Sequence, residues 1–169
     1  AHDIAMSAEV MTACSVLEYP LWAKLSPNTD RVIAVAQAVH EAGAEAVTLI
    51  NTVVGMALDP ESGRPALGNG GGGISGRAIH PVAVRTVFDV HAALPNLPIV
   101  GVGGVTSGWE AAELMLAGAS AVQVGTATFA DPRACFKIAG ELSEWVTRHG
   151  LTEVASLTGL AHRGGLTPS

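Results

Sequence analysis

Four short segments carry side chains that their own folding does not require. Lys24 sits inside the apolar run Leu21-Trp22-Ala23-Lys24-Leu25 and is the sole lysine before Lys137. Asn51-Thr52 follows the apolar run 46–50, Gly103-Gly104 follows 99–102, and Gly125-Thr126 follows 121–124. A cation, an amide beside a hydroxyl, and two glycine turns suit an anionic, polar ligand. Backbone N–H groups in a glycine turn reach phosphate oxygens that a side chain would hold off. Each feature alone has a plainer reading. Glycine is the default residue of a tight turn, a lysine stem can carry its charge from a strand edge to water, and an asparagine can cap the turn after it. Their joint occurrence, each at the end of an apolar run, favours a ligand site.

The elements that must position these groups alternate. Residues 3–17 place Ile4, Val10, Met11, Cys14 and Leu17 at helical spacing, which predicts an amphipathic helix. Residues 21–25 read as a strand stopped by Ser26-Pro27-Asn28, and 29–42 as a helix through Val32, Val35, Ala36 and Val39 that stops at Gly43. After a strand at 46–50 the pattern breaks. The turn Asp59-Pro60-Glu61-Ser62-Gly63 predicts an inserted hairpin, and the glycine run 68–73 is expected to be flexible, without regular structure. Helix 81–93 opens at Pro81, and strand 99–102, helix 107–117, strand 121–124 and helix 132–148 complete the pattern, with Gly150 as a stop. The tail 157–169, with Gly164-Gly165 and Pro168, is expected to be loose.

A helix is therefore followed by four β–α units, an α/β pattern with a parallel sheet covered on both faces. Four units make either half of a (β/α)8 barrel or a small open sheet. In both, the carboxyl ends of the strands face one ligand site. If the last two strands are barrel strands 7 and 8, then Gly103, Gly104, Gly125 and Thr126 fall where such barrels bind phosphate.

Composition removes other classes. The 169 residues are 49% hydrophobic, enough for one core, and carry 9 Lys+Arg against 15 Asp+Glu with the basic residues scattered. A nucleic-acid footprint needs a basic stripe, and a membrane span needs a longer apolar run than any here. No signal peptide is expected at the start of the chain. Cys14 and Cys135 have no metal or redox spacing and are expected to be buried free thiols, which points to a reducing, cytoplasmic compartment. His40, His91 and His149 are expected at the surface, and His80 lacks an acidic partner in sequence. Trp22, Trp109 and Trp145 are expected to serve packing. No zinc-protease, nucleophile-elbow, P-loop or complete dinucleotide motif is present.

Five segments together resemble dihydroorotate dehydrogenase. They are Trp22-Ala23-Lys24-Leu25-Ser26-Pro27-Asn28, Leu49-Ile50-Asn51-Thr52, Gly72-Gly73-Ile74-Ser75-Gly76, the run 99–105 ending in Gly103-Gly104-Val105, and the run 117–126 ending in Gly125-Thr126. The resemblance covers nearly the whole chain, in order. Within the family it is similar to the soluble class 1 enzymes, most of all the NAD-linked form that pairs with an FAD and iron–sulfur electron-transfer subunit. It implies a (β/α)8 barrel that oxidises dihydroorotate to orotate on FMN in pyrimidine biosynthesis. By that resemblance Lys24 contacts the isoalloxazine ring near N1 and O2, Ile50 and Gly76 touch the flavin, and Gly103, Gly104, Gly125 and Thr126 hold its phosphate. Asn51 and Thr52 would bind the orotate ring and carboxylate.

The resemblance also marks what is not here. In the family the first half of the barrel supplies the catalytic base, a cysteine in class 1, on a loop before the first strand of this sequence. Residues 1–17 match only the helix after that loop, so Cys14 is not that base. The expected fold is thus the C-terminal half of a (β/α)8 TIM barrel, strands 5–8, within 1–156, with the hairpin and glycine loop inserted after its second strand. Such a half exposes two strand edges and its barrel interior, so a partner is expected: another chain, a further segment, or a second copy in a homo-oligomer. The chain begins with Ala rather than Met, as a fragment or processed product would. The segment alone is expected to be inactive. Two rivals stay open: another phosphate-binding barrel enzyme, which would need a catalytic Asp or Cys at a strand end, and a non-catalytic half-barrel module.

Overall fold

The structure, a computed structural model, describes residues 3–166. Helix α1 (Ile4–Cys14) precedes β1 (Trp22–Lys24), α2 (Val32–Glu41) and β2 (Ala46–Leu49). An insert follows with β3 (Val53–Met56), β4 (Leu58–Asp59), β5 (Arg64–Pro65) and β6 (Gly71–Ile74). The chain continues through α3 (His80–Ala93), β7 (Ile99–Val102), α4 (Gly108–Ala117), β8 (Ala121–Gln123), the single-turn α5 (Ala127–Ala130) and α6 (Ala134–Arg148).

Strands β1, β2, β7 and β8 form one parallel sheet in that spatial order, with Trp22 beside Ala46, Val47 beside Ile99, and Val100 beside Ala121. Each strand lies next to its predecessor. A doubly wound sheet has a reversal of order and these four strands show none, so the α/β fold is consistent with a barrel-type domain. All four residues of β2 are buried, whereas Trp22 and Lys24 of β1 and Ala121 and Gln123 of β8 are exposed. The middle of the sheet is thus covered and its two edge strands are open.

Helical spacing decides the covered face. Helix α3 buries His80, Ala83, Val87 and Val90, one stripe at three-and-four steps that joins Val47, Leu49 and Ile99 in the main core. Helix α4 buries seven of its ten residues because α3 and α6 flank it. Its N-terminus is capped by Ser107, whose side chain accepts from the Glu110 N–H. Helix α1 ends three residues earlier than its apolar spacing predicts: the Ser15 hydroxyl donates to Thr12 O, and the Leu17 N–H donates to Cys14 O in a turn.

The glycine run is the first departure from expectation. Gly71–Ile74 forms strand β6, antiparallel to β3 with Val54 opposite Gly73 and Gly55 opposite Gly72. A Cβ at Gly73 would collide with the Thr52 side chain, and one at Gly71 would come within 3.1 Å of Gly55 O. These glycines therefore permit close pairing, where a flexible loop was expected. The hairpin turn lies where expected, between the short strands β4 and β5, held by Asp59 accepting from Ser62 Oγ and the Glu61 N–H.

The tail is the second departure. Leu157 is fully buried, the Gly159 N–H donates to Met115 O, and His162 Nε2 bonds Ala117 O at 3.0 Å. The ring of His162 stacks on Phe88 and lies against His91, which is half-buried and not a surface residue. Burial of apolar Leu157 beside Met115 and Trp145 makes a second small core, so residues up to 166 are docked; Pro168 lies outside the described residues. Both thiols also differ from expectation. Cys135 is exposed on α6, and Cys14 is half-buried. Only Trp145 packs, since Trp22 and Trp109 are exposed at an open strand edge and an outer helix turn. No helix among the described residues is long and apolar enough to cross a membrane.

Candidate functional site

The carboxyl ends of the four parallel strands surround one cavity of about 360 Å³. Its wall includes Lys24 at the end of β1, Ile50, Asn51 and Thr52 after β2, Gly103 and Gly104 after β7, and Gly125 and Thr126 after β8. Gly76, which follows β6, completes the nine residues singled out from sequence, and all nine line this cavity. A volume of this size lies within the usual range of small-molecule and cofactor clefts.

Lys24 and Asn51 meet directly, with Lys24 Nζ donating to Asn51 Oδ1 over 2.9 Å. That bond aligns the amide and leaves its NH2 group to donate elsewhere. The Asn51 and Ile50 N–H groups are already committed, to Leu25 O and Val102 O. Asn28 ties the floor together: its Nδ2 donates to Thr52 O, and its Oδ1 accepts from the Val54 N–H. The Ser26-Pro27-Asn28 stop thus fixes the β2–β3 junction, a role its turn chemistry alone did not indicate.

Gly103 and Gly104 have φ of 139° and 70°, conformations that favour glycine. A Cβ at Gly103 would stand 2.8 Å from Ala83 Cβ, and one at Gly104 would stand 2.8 Å from both Gly76 O and His80 Cβ. Gly125 differs: a Cβ there would meet nothing within 4 Å, so its backbone is open to a ligand. The β7 turn is held from behind by His80, buried at 6% exposure, whose Nδ1 donates to Gly103 O at 2.8 Å. Its Nε2 lies 3.1 Å from Glu113 Oε2. The acidic partner that His80 lacks in local sequence comes from α4, so His80 belongs to the support of the site.

Sequence reasoning passed over Ser75, Arg77 and Thr106, which also line the cavity. Lys24 and Arg77 are the only charged residues in its wall, so its field favours anions. Arg77 pairs through Nε with Glu110 Oε1 at 2.9 Å. Burial pushes the Glu110 carboxyl up, but the Ser107 hydroxyl, the Thr106 N–H and hydroxyl, and the Arg77 charge outweigh it and hold the group below the usual carboxylate range. The signal for Arg77 was its place directly after Gly76, which the glycines overshadowed.

Two cations, no carboxylate, open backbone at β8 and apolar walls from Ile50, Ile79, Val102 and Val105 fit a planar ring that carries an anionic tail. Cys14 lies outside this wall, in a groove between α1 and the open edge of β1. A family model described as dihydroorotate dehydrogenase matches residues 1–146. A protein of Pelobacter propionicus named dihydroorotate dehydrogenase B (NAD(+)), catalytic subunit, is 48% identical over 158 residues, 93% of this chain and 52% of that protein. One of the same name in Methanosarcina acetivorans is 44% identical over 156 residues, 91% of this chain and 50% of that protein. A relative in Solibacter usitatus, named for the fumarate-linked form A, is 45% identical over 159 residues, 94% of this chain and 52% of that protein. The chain spans about half the length of the curated relatives it matches.

Proposed function

Because the chain belongs to the dihydroorotate dehydrogenase family, whose members depend on a flavin, we propose that it supplies the FMN-phosphate site and part of the orotate site of an enzyme that oxidises dihydroorotate to orotate in pyrimidine biosynthesis. The observation that carries this reading is the convergence of nine residues, from five separate segments, on one cavity whose only charges are cationic. In this reading the four β–α units are strands 5–8 of a (β/α)8 barrel, within 1–156. The sequential strand order and the exposed edges of β1 and β8 support it.

The bound flavin would supply hydride acceptance. Lys24 would place its positive charge where negative charge develops on reduction, and such preorganised charge acts without reorganisation. The Lys24–Asn51 bond would hold the Asn51 NH2 toward the substrate, and the Thr52 hydroxyl would add a second hydrogen-bonding group. Ile50 and Gly76 would border the ring. The N–H groups of Gly103, Gly104, Gly125 and Thr126 would bind the phosphate. The proton-abstracting base, a cysteine in class 1 enzymes, would come from the other half of the barrel. That half is the partner proposed for the open strand edges, with homo-oligomer formation and an FAD and iron–sulfur subunit as further partners in the cytoplasm.

A second reading, a non-catalytic module, is favoured by one observation: no Asp, Glu, Cys or His lines the cavity. The test is to purify the full-length protein, identify its flavin by native mass spectrometry, and add dihydroorotate without oxygen. Bound FMN that bleaches supports the enzyme. Bound FMN that stays oxidised supports the module, and absence of flavin overturns both.

A further inference from the structure

We propose that Arg77, anchored by the buried carboxylate of Glu110, is the cationic ligand of the flavin phosphate and makes this site select the phosphorylated cofactor. The inference rests on the flavin reading above and adds a residue and a specificity to it.

A phosphate monoester carries about 1.5–2 negative charges at neutral pH. Backbone N–H groups at Gly103, Gly104 and Gly125 offer hydrogen bonds but no net charge. The cavity wall holds two cations. Lys24 is engaged with Asn51 on β1, two strands from β7 and three from β8, or about 10–14 Å at the spacing of adjacent strands. Arg77 is the other cation, and it borders the β7 turn: its Cα is 3.1 Å from the position of a Cβ at Gly104.

The anchoring is specific. Glu110 is 3% exposed, and its Oε2 accepts from the Thr106 N–H, the Thr106 hydroxyl and the Ser107 hydroxyl at 3.0, 2.9 and 2.7 Å. Oε2 takes all three of these bonds; Oε1 receives no hydrogen bond and lies 2.9 Å from Arg77 Nε as an ion pair. The Arg77 side chain is itself 79% exposed, so packing does not account for its place. The charge of the buried carboxylate keeps the guanidinium beside it, and the terminal Nη groups of the planar fork would bind a phosphate. Restricting the side chain in advance lowers the entropy lost on binding. Glu110 is ionised at neutral pH, as its depressed titration requires, so the anchor is intact where the cofactor binds.

The experiment is a fluorescence titration of flavin-free full-length protein with FMN and with riboflavin, which lacks the phosphate. Arg77→Ala is expected to weaken FMN about tenfold or more, the loss of one charge-assisted hydrogen bond, and to leave riboflavin unchanged. Arg77→Lys keeps the charge without the fork and should recover part of the FMN affinity. Glu110→Gln should lower the FMN-to-riboflavin ratio in the same direction; because it alters a buried site, its fold is checked first by circular dichroism, and Arg77→Ala decides the question independently. If Arg77→Ala weakens both flavins equally, or leaves FMN unchanged, the phosphate role is overturned while the flavin reading stands. If the wild-type protein binds neither flavin, the flavin reading falls and this inference with it.

Discussion

Gly104→Ala and Gly125→Ala should separate the two ways in which a glycine serves this site. At Gly104 an alanine must hold φ near +70°, and its Cβ must sit 2.8 Å from Gly76 O, 2.8 Å from His80 Cβ and 3.1 Å from Arg77 Cα. The left-handed conformation costs about 1–2 kcal/mol, and forcing a methyl against backbone and the Cβ of buried His80 adds about 1–3 kcal/mol. The total is about 2–5 kcal/mol, a large share of a domain's stability. At Gly125 neither term applies, since φ is not positive and no heavy atom lies within 4 Å. Gly125→Ala should therefore stay within about 0.5 kcal/mol of wild type, as surface substitutions do, while its methyl obstructs the approach of a phosphate. Urea unfolding of the full-length protein, followed by flavin titration of the folded variants, measures both effects. A Gly104→Ala midpoint equal to wild type would refute the steric reasoning, and Gly125→Ala with undiminished FMN affinity would refute the proposed use of that backbone.

Other perturbations test other parts of the argument. Lys24→Met should retain FMN but slow its reduction by dihydroorotate by about 10²–10³, the scale of removing one preorganised electrostatic group; anaerobic stopped-flow absorbance measures it, and an unchanged rate would remove Lys24 from the chemistry. His80→Ala leaves Gly103 O without its donor and should cost about 1–3 kcal/mol for that orphaned carbonyl, read as a lower urea midpoint. Burial, then the charges of His162 and Arg163, hold His91 below its usual 6.5. As pH falls below that value the unfolded chain takes up a proton that folded His91 resists, so this contribution to stability is full above pH 6.5 and is lost on acidification. The urea midpoint should therefore drop more between pH 7.5 and 5.5 in wild type than in His91→Gln, and equal drops would exclude His91 as the cause.

How much was legible follows from which interactions are local. The buried strands β2 and β7 read directly from sequence because a parallel strand covered on both faces is a continuous apolar run. The nine cavity residues were legible because each immediately ends or follows a strand, or closes the glycine segment, and parallel topology then brings those ends together. The glycine run was misread because its partner strand lies across the hairpin. Gly71 to Gly73 look flexible only until Thr52 and Gly55 occupy the space their side chains would need.

Sequence by itself determined the β–α alternation and the identity of the groups at strand ends, which depend on neighbours within a few residues. Tertiary structure alone decided the pairs that carry the site's electrostatics. His80 with Glu113, Arg77 with Glu110, and Lys24 with Asn51 each join separate elements. The docking of His162 against Phe88 and Ala117 is of the same kind. Such pairs leave no periodic trace in the chain, because distance in sequence says nothing about which helix turn will face which strand end until the sheet order is set.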